Sequence, residues 1–393
     1  MKIGVVFPYY KPAVVYGGPV QSVSALCEGL MQAGAQVTVL TTNANGAETL
    51  SVPLGQPVEV DGVPVYYYPR LGSRLAASYY YSPGFKRACQ EQIKNFEVVY
   101  ICGTWTYAML AGATAALAAG VPFVVSPRGS FMTWSMRQRP LKKRAYLELV
   151  ERRLINQAAA IHCTSSLEQQ QLGIWGFRPP VFVIPNGLDI TPFDRLPAKG
   201  PLRRALGVPP DGTLSLFVGR LHKEKRLDLM IAAFAEVTQR LPDAHLLIVG
   251  PEGDGSGKQA QEQVQALGLS HCVHFAGLLT GMPLLQTYAN ADLHVLLSHR
   301  ESFAMVVAEA MAAVLPVLVT EQVGLAEEVA RAGAGYSVRP DSEAIATRWS
   351  GLLANPELRA SMGRKGRDLV ERHFATEVVS HQILEFLQQI AQV

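Results

Sequence analysis

Two carboxylates eight positions apart, Glu301 and Glu309, lie in the stretch SHRESFAMVVAEAMAAVLPVL that begins at Ser298. The apolar residues Leu293, Val295, Leu296 and Leu297 before it read as a buried strand. Met305, Val306, Ala308, Met311 and Ala312 then predict a buried helix that opens just after Glu301. The first N–H groups of such a helix have no partner within it, which makes its N-terminus a ready site for a phosphate. Two carboxylates on one buried segment are costly unless something polar lies between them. A sugar with hydroxyls on both sides of a diphosphate meets that need if positive charge comes from elsewhere. Arg220 and Lys225, in the turn after the apolar run 214–218, are the candidates. A planar guanidinium and a mobile ammonium together suit a diphosphate. Two plainer readings compete: the segment HKEKR (222–226) as a solvated helix start, and Arg300 as the structural partner of the adjacent Glu301. No Asp-x-Asp, His-x-x-x-His or clustered Cys offers a metal site, so protein cations and a helix dipole are expected to hold the charge.

The elements that must position these residues follow a strand–helix alternation. Short apolar runs at 3–7, 36–41, 98–101, 122–125, 159–163 and 181–184 alternate with helical patterns such as 20–33, and 58–67 reads as a hairpin turning at Asp61-Gly62. Residues 185–200 are rich in Pro, Gly, Asp and Asn and read as a linker. A second alternation begins at 214–218 and continues through 244–249, 273–275, 293–297 and 317–319, with a helical tail from Ser342 onward. This predicts an α/β chain of two doubly wound, Rossmann-like domains facing each other across a cleft. The expected domains are 1–187, with the helix 374–393 packing back on it, and 188–373.

Bulk properties agree with that class. A chain of 393 residues with 49% apolar and 17% charged residues is long enough for two cores. A net charge of only +3 gives no case for a nucleic-acid partner. Cys27, Cys89, Cys102, Cys163 and Cys272 are an odd number without paired spacing, which predicts reduced core thiols and a cytoplasmic location; the inner face of the membrane is an alternative that enters only through the basic segment 134–157. Met1-Lys2 leads straight into a strand-like run without a signal-peptide pattern, and no apolar window is long enough to span a membrane.

Taken together, Gly219-Arg220-Leu221 with Lys225, Gly250-Pro251, and Ser298 with Glu301 and Glu309-Ala310-Met311 resemble the retaining glycosyltransferases of family 4, which have the GT-B fold. Tyr16-Gly17-Gly18 and Ile184-Pro185-Asn186-Gly187-Leu188-Asp189 are similar to the same family. Ser126-Pro127-Arg128-Gly129, Trp134 and Ile161-His162-Cys163-Thr164-Ser165 resemble a bacterial polysaccharide-assembly branch of it. The resemblance implies a metal-independent hexosyltransferase (EC 2.4 class) that needs no cofactor and uses a UDP- or GDP-sugar as donor. Arg220 and Lys225 would grip the diphosphate, Glu301 the transferred sugar, and Glu309 the ribose. The backbone of Ser302, Phe303, Ala304 and Met305 would hold the distal phosphate. Gly17, Gly18 and Gly219 would let the chain approach the donor closely, while Pro251 and Leu278 would meet the base. On the acceptor side it points to Arg128, Trp105, Trp134 and His162. The chain departs from the family pattern where Ala304, Val314 and Arg226 replace glycines and Arg128 replaces a histidine. β-Branched Val314 argues against a left-handed helix end, and an Arg at 128 cannot act as a base.

The implied acceptor is a glycan or lipid-linked glycan. Residues 134–157 predict a helix with apolar Leu141, Ala145 and Leu149 and basic Arg137, Arg139, Lys142, Lys143 and Arg144, a composition that fits either peripheral membrane contact or a solvated face. The tyrosine clusters at 66–68 and 79–81 fit sugar stacking, a lipid interface or internal packing. Two other functions use the same architecture: a nucleotide-sugar 2-epimerase, which needs acid–base groups in the first half, and a non-catalytic sugar-nucleotide-binding protein. A dinucleotide oxidoreductase is excluded because neither half opens with G-x-G-x-x-G, and GPEGDGSGKQ lacks the spacing of a P-loop.

Overall fold

A computed structural model of the chain describes residues 1–72 and 74–392. It divides into two compact units, Met1–Gly187 with Ala375–Val393, and Leu188–Phe374. Each is an α/β unit built on a parallel, Rossmann-like sheet.

The sheet of the first unit runs in the order Val181–Val183, Ala160–Cys163, Phe123–Ser126, Val98–Cys102, Lys2–Val6, Gln36–Thr42, Val63–Tyr68, Pro57–Val60. All neighbours are parallel except the last two, a hairpin whose turn residues Asp61 and Gly62 have φ of 50° and 78°. The order reverses between Lys2–Val6 and Val98–Cys102, so the loops after these two strands diverge and leave a crevice at the carboxyl edge. The C-terminal helix Thr376–Ala391 buries Val379, Ile383 and Leu387 in this core. It packs on the helix Gly18–Gln32 so closely that a Cβ at Gly29 would lie 2.0 Å from Ser380 Oγ.

The second unit has six strands, all parallel, in the order Val273–Gly277, Ala244–Val249, Thr213–Val218, Leu293–Leu296, Val317–Thr320, Gly335–Val338. Here the order reverses between Thr213–Val218 and Leu293–Leu296. These strands are apolar on both faces because helices cover both. Trp349 is fully buried against the sheet and donates from Nε1 to Ser215 Oγ at 2.8 Å, which satisfies its one polar atom.

Three local expectations need correction. Gly335–Val338 is a strand that the pattern did not announce. Its glycine is required by contact, since a Cβ there would sit 1.9 Å from Val317 O, and that glycine hides the strand signal. The helix expected across 134–157 is interrupted: Thr133–Arg137 ends, Arg139 takes φ 56°, and a second helix spans 140–155 with a π turn at Leu147–Glu151. Val314 does adopt the left-handed conformation, with φ 62°. Val314 N donates to Met311 O and Leu315 N to Ala310 O, both at 3.0 Å, and this pair of bonds closes the end of the helix Met305–Ala312. Satisfying two otherwise orphaned carbonyls outweighs the cost of a β-branched residue there. Gly363 holds the turn in place, packed so near that a Cβ would lie 2.0 Å from Val314 O.

Candidate active site

The two strands flanking the reversal in the second unit carry the residues singled out from sequence. Thr213–Val218 leads into Gly219, Arg220 and the short 3-10 turn Lys223–Lys225, and Leu293–Leu296 leads into Ser298, Glu301 and the helix Met305–Ala312. Their loops therefore emerge side by side at the carboxyl edge of one sheet. Lys225 Nζ is ion-paired with Glu301 Oε1, and each side chain is 17% exposed. Ser298, itself buried, donates from Oγ to the same Glu301 oxygen at 2.9 Å. Glu301 N donates to Gln322 O at 3.0 Å, which fixes the backbone from which the carboxylate projects. Arg300 pairs with Glu224 at 3.2 Å, so the ion pair of Glu301 runs across the reversal to Lys225.

Arg220 is exposed and makes no side-chain hydrogen bond or ion pair among the described residues. Its stem lies against Gly253, where a Cβ would meet Arg220 Cγ at 3.1 Å. The adjoining loops are knit together by main-chain bonds: Gly219 N to Val249 O at 2.9 Å, Leu221 N to Pro251 O at 2.9 Å, Gly250 N to Gly277 O at 2.8 Å. Gly250 has to be glycine, because a Cβ would lie 1.9 Å from Gly219 O. Pro251 and Leu278 are exposed beside this seam, Leu278 at 62%. His222 is tied down, facing Asp254 Oδ2 through Nε2 at 3.3 Å and accepting Glu224 N at Nδ1.

The helix Met305–Ala312 starts without a side-chain cap, because Ala304 stands at its N-cap with φ 81° and ψ 74°. Val307 N donates to Ala304 O at 3.0 Å, while the N–H groups of Met305 and Val306 make no hydrogen bond among the described residues and are left for another acceptor. Phe303 is buried edge-on against Phe374 at 5.4 Å, so this position contributes only backbone to the edge. Glu309 Oε2 accepts from Tyr288 Oη at 2.6 Å. Burial raises the Glu309 carboxyl above its ordinary range, and the Tyr288 hydroxyl opposes that only in part. Nothing local in the sequence ties Tyr288 to Glu309, since 21 positions separate them.

The glycine loop before the helix Ser256–Ala266 is not a phosphate cradle. Glu252 fills it: its carboxylate accepts N–H groups of Gly253, Gly255, Gly257 and Lys258 at 2.8, 2.9, 3.4 and 3.1 Å. Burial pushes this carboxyl up, yet the four donors hold it below the ordinary range. Among the described residues no three His, Cys, Asp or Glu side chains come together as metal ligands.

In the first unit, Gly17 precedes the helix Gly18–Gln32 with φ 65° and ψ −135°, a conformation open only to glycine, and a Cβ at either Gly17 or Gly18 would point into open space. This loop and Trp105 follow the two strands that flank the reversal. Trp105 has φ 64°; Glu151, fully buried on the π turn, accepts its backbone N–H at 2.6 Å. Burial pushes the Glu151 carboxyl up to about 8, with the Trp105 N–H opposing. Trp134 is half-buried on the short helix Thr133–Arg137. Arg128, with φ 51°, donates from Nη1 to Asn186 Oδ1 at 2.8 Å and Ser22 Oγ at 3.1 Å, which ties it to the glycine-led helix. His162 is placed differently from an acceptor ligand. It is 1% exposed, Nε2 donates to Ile184 O at 2.7 Å, and Nδ1 bonds Tyr100 Oη, so neither nitrogen remains for a substrate. Burial, helped by Arg128, lowers it to about 3. The tyrosines of 79–81 pack on Tyr9, Tyr16, Tyr107 and Tyr146.

Comparison with known proteins adds to this geometry. Residues 17–187 match the family "Glycosyl transferase 4-like domain" and residues 199–369 match "Glycosyl transferases group 1". The chain is 32% identical to a D-inositol 3-phosphate glycosyltransferase of Kineococcus radiotolerans over 55% of its length and 54% of the relative's. Matches to this group of relatives thus span about half of their length. An uncharacterized glycosyltransferase of Methanocaldococcus jannaschii is 29% identical over 87% of both chains. Among solved structures, sucrose-phosphate synthase from Thermosynechococcus elongatus superposes with a TM-score of 0.80 at 21% identity, covering 99% of each chain. HepE of Anabaena, solved with UDP and glucose, gives 0.76 at 22% identity, covering 99% of this chain and 100% of that one. With a glycosyltransferase family matched on each unit and glycosyltransferases of the same fold along the whole length, the chain belongs to the GT-B glycosyltransferases.

Proposed function

We propose that the chain moves a hexose from a nucleoside-diphosphate sugar to a glycan or lipid-linked glycan, with retention at the anomeric carbon, in polysaccharide or glycolipid assembly. The observation that carries this reading is the Lys225–Glu301 pair at the reversal of the second sheet, beside unpaired Arg220 and an uncapped helix N-terminus. In the free protein Lys225 and Glu301 neutralise each other. When a donor arrives, its diphosphate takes Lys225, Arg220 and the N–H groups of residues 302–305, and the sugar hydroxyls take Glu301. Glu309 accepts the ribose hydroxyls through the oxygen not used by Tyr288. Pro251 and Leu278 flank the base of the nucleotide, UDP or GDP. That HepE was solved with UDP-glucose supports a nucleotide-sugar donor.

Fixed cations lower the barrier by stabilising negative charge as the diphosphate departs, typically the largest contribution in such reactions. They do so without a metal in this reading. The sugar passes through an oxocarbenium-like state, the acceptor hydroxyl attacks from the face the phosphate leaves, and the departing phosphate oxygen takes the acceptor proton. Arg128 orients rather than deprotonates, since a guanidinium does not give up its proton at neutral pH. The 2-epimerase reading loses support in the first unit, where both nitrogens of His162 are engaged and Arg128 replaces a base. Five buried free thiols support a cytoplasmic site of action.

A screen of UDP-, GDP- and ADP-sugars for binding and slow hydrolysis tests the proposal, with the anomeric configuration of the product read by NMR. One nucleotide family is expected to bind, and Lys225→Ala or Arg220→Ala to lower turnover at least about 100-fold. Near-normal turnover in either variant, or an inverted product, refutes it.

A further inference from the structure

The continuous helix 140–155 has one face that anchors it and one that nothing covers among the described residues. On the anchoring side, Lys143 donates to Ser135 O at 2.6 Å and lies 5.7 Å over the Trp105 ring. Tyr146 packs on Tyr79 and Trp105, and Leu147 and Glu151 are fully buried. On the opposite side, Leu141, Ala145 and Leu149 recur every four residues and all point outward, the two leucines each 84% exposed. This stripe reverses the usual amphipathic arrangement, in which such residues face the core.

Around it stand exposed Arg137, Arg139, Lys142 and Arg144, and no carboxylate occurs between Arg137 and Leu147. The nearest acid, Glu148, is taken by Arg152 at 2.7 Å. We infer that this face docks on an anionic lipid surface, with the leucines seated among the acyl chains and the cations at the headgroups. The chemistry selects that occupant. The core of a protein interface is depleted of charged residues, whereas a nucleic-acid backbone has no use for two exposed leucines. Cations ringed around protruding leucines match the layering of an interfacial helix. The inference stands on this face alone and does not depend on the donor chemistry.

Flotation of the full chain with phosphatidylcholine vesicles containing about 30% phosphatidylglycerol tests it. Binding is expected at low salt, little with phosphatidylcholine alone, and loss at about 0.5 M salt, where surface charges are screened. Leu141→Ser/Leu149→Ser is expected to weaken partitioning at least about ten-fold. Removing Arg137, Lys142 and Arg144 as glutamines should weaken it about five-fold per charge. All five positions are exposed, so thermal unfolding should be unchanged, and Leu267→Ser, an exposed leucine of the second unit, should bind as the parent does. Absence of binding by the parent chain overturns the inference. So does a leucine variant that floats normally, because that binding would be electrostatic only. Leucine-dependent dimers in solution, without vesicle binding, would assign the face to a second copy instead.

Discussion

The Lys225–Glu301 pair gives Glu301→Gln two opposite effects. In the free protein the diphosphate has to draw Lys225 away from Glu301, whose Oε1 it contacts with both side chains 17% exposed. For a pair with that much solvent access, the competing attraction is worth about 1 kcal/mol. Glu301→Gln removes it, so the nucleoside diphosphate alone should bind about five-fold more tightly. The same variant loses the carboxylate proposed to hold the sugar, and turnover with the complete donor should fall about 100-fold. Lys225→Ala, by contrast, lowers both quantities: a charge-assisted bond contributes about 1.5–3 kcal/mol, so affinity should drop roughly ten-fold or more. Calorimetric titration with the nucleoside diphosphate and a continuous assay of its release measure the two quantities separately. If Glu301→Gln weakens the nucleoside diphosphate, or leaves it unchanged, Lys225 is not shared between carboxylate and phosphate, and the site has been read wrongly.

Other consequences concern single groups. Because burial raises the Glu309 carboxyl and ribose binding requires it ionised, nucleotide affinity should decline on acidification at a pH above the ordinary carboxylate range, and Glu309→Gln should be weak but flat with pH; a parallel decline in both would remove Glu309 from the ribose. His294 is fully buried with neither ring nitrogen bonded among the described residues, and burial lowers it to about 3. The unfolded chain takes up that proton below about 6.5 and the folded chain does not, so stability should fall by about 1.4 kcal/mol per pH unit as pH drops from 6.5 towards 3. His162, which burial also lowers to about 3, adds a like slope, so His294→Leu should remove about half of the total and raise the melting temperature at neutral pH; an unchanged acid limb would assign it to other groups. Ala304→Gly should relieve a left-handed residue, raising stability by up to about 1 kcal/mol after the entropy of glycine is set against it. It should also tighten nucleotide binding, and weaker binding would show that the methyl group does not crowd the phosphate.

Much of the architecture was legible because it rests on local patterns. Apolar runs of strand length alternating with helical periods are enough to announce a parallel α/β chain, and Asp61-Gly62 announces its own turn. The strand Gly335–Val338 escaped because a contact, not a propensity, demands its glycine. Glu301, Glu309, Arg220 and Lys225 were visible as chemistry by type and spacing. Their partners were not, since Lys225–Glu301 and Tyr288–Glu309 join residues 76 and 21 positions apart through sheet order. The spacing of the glycine loop already rules out a P-loop, but that the Glu252 carboxylate fills it follows only from the folded backbone.

The sequence by itself determined the alternation, the carboxylate–cation inventory and the core thiols, because each follows from residue type and short spacing. Tertiary structure decided which strands flank each reversal, and hence that Lys225 meets Glu301. It also turned Leu141, Ala145 and Leu149 to solvent and forced Val314 into a left-handed turn. Those outcomes depend on which distant backbone groups must be bonded and which faces are already occupied, and the energy of closing such contacts exceeds the local preferences that a pattern records.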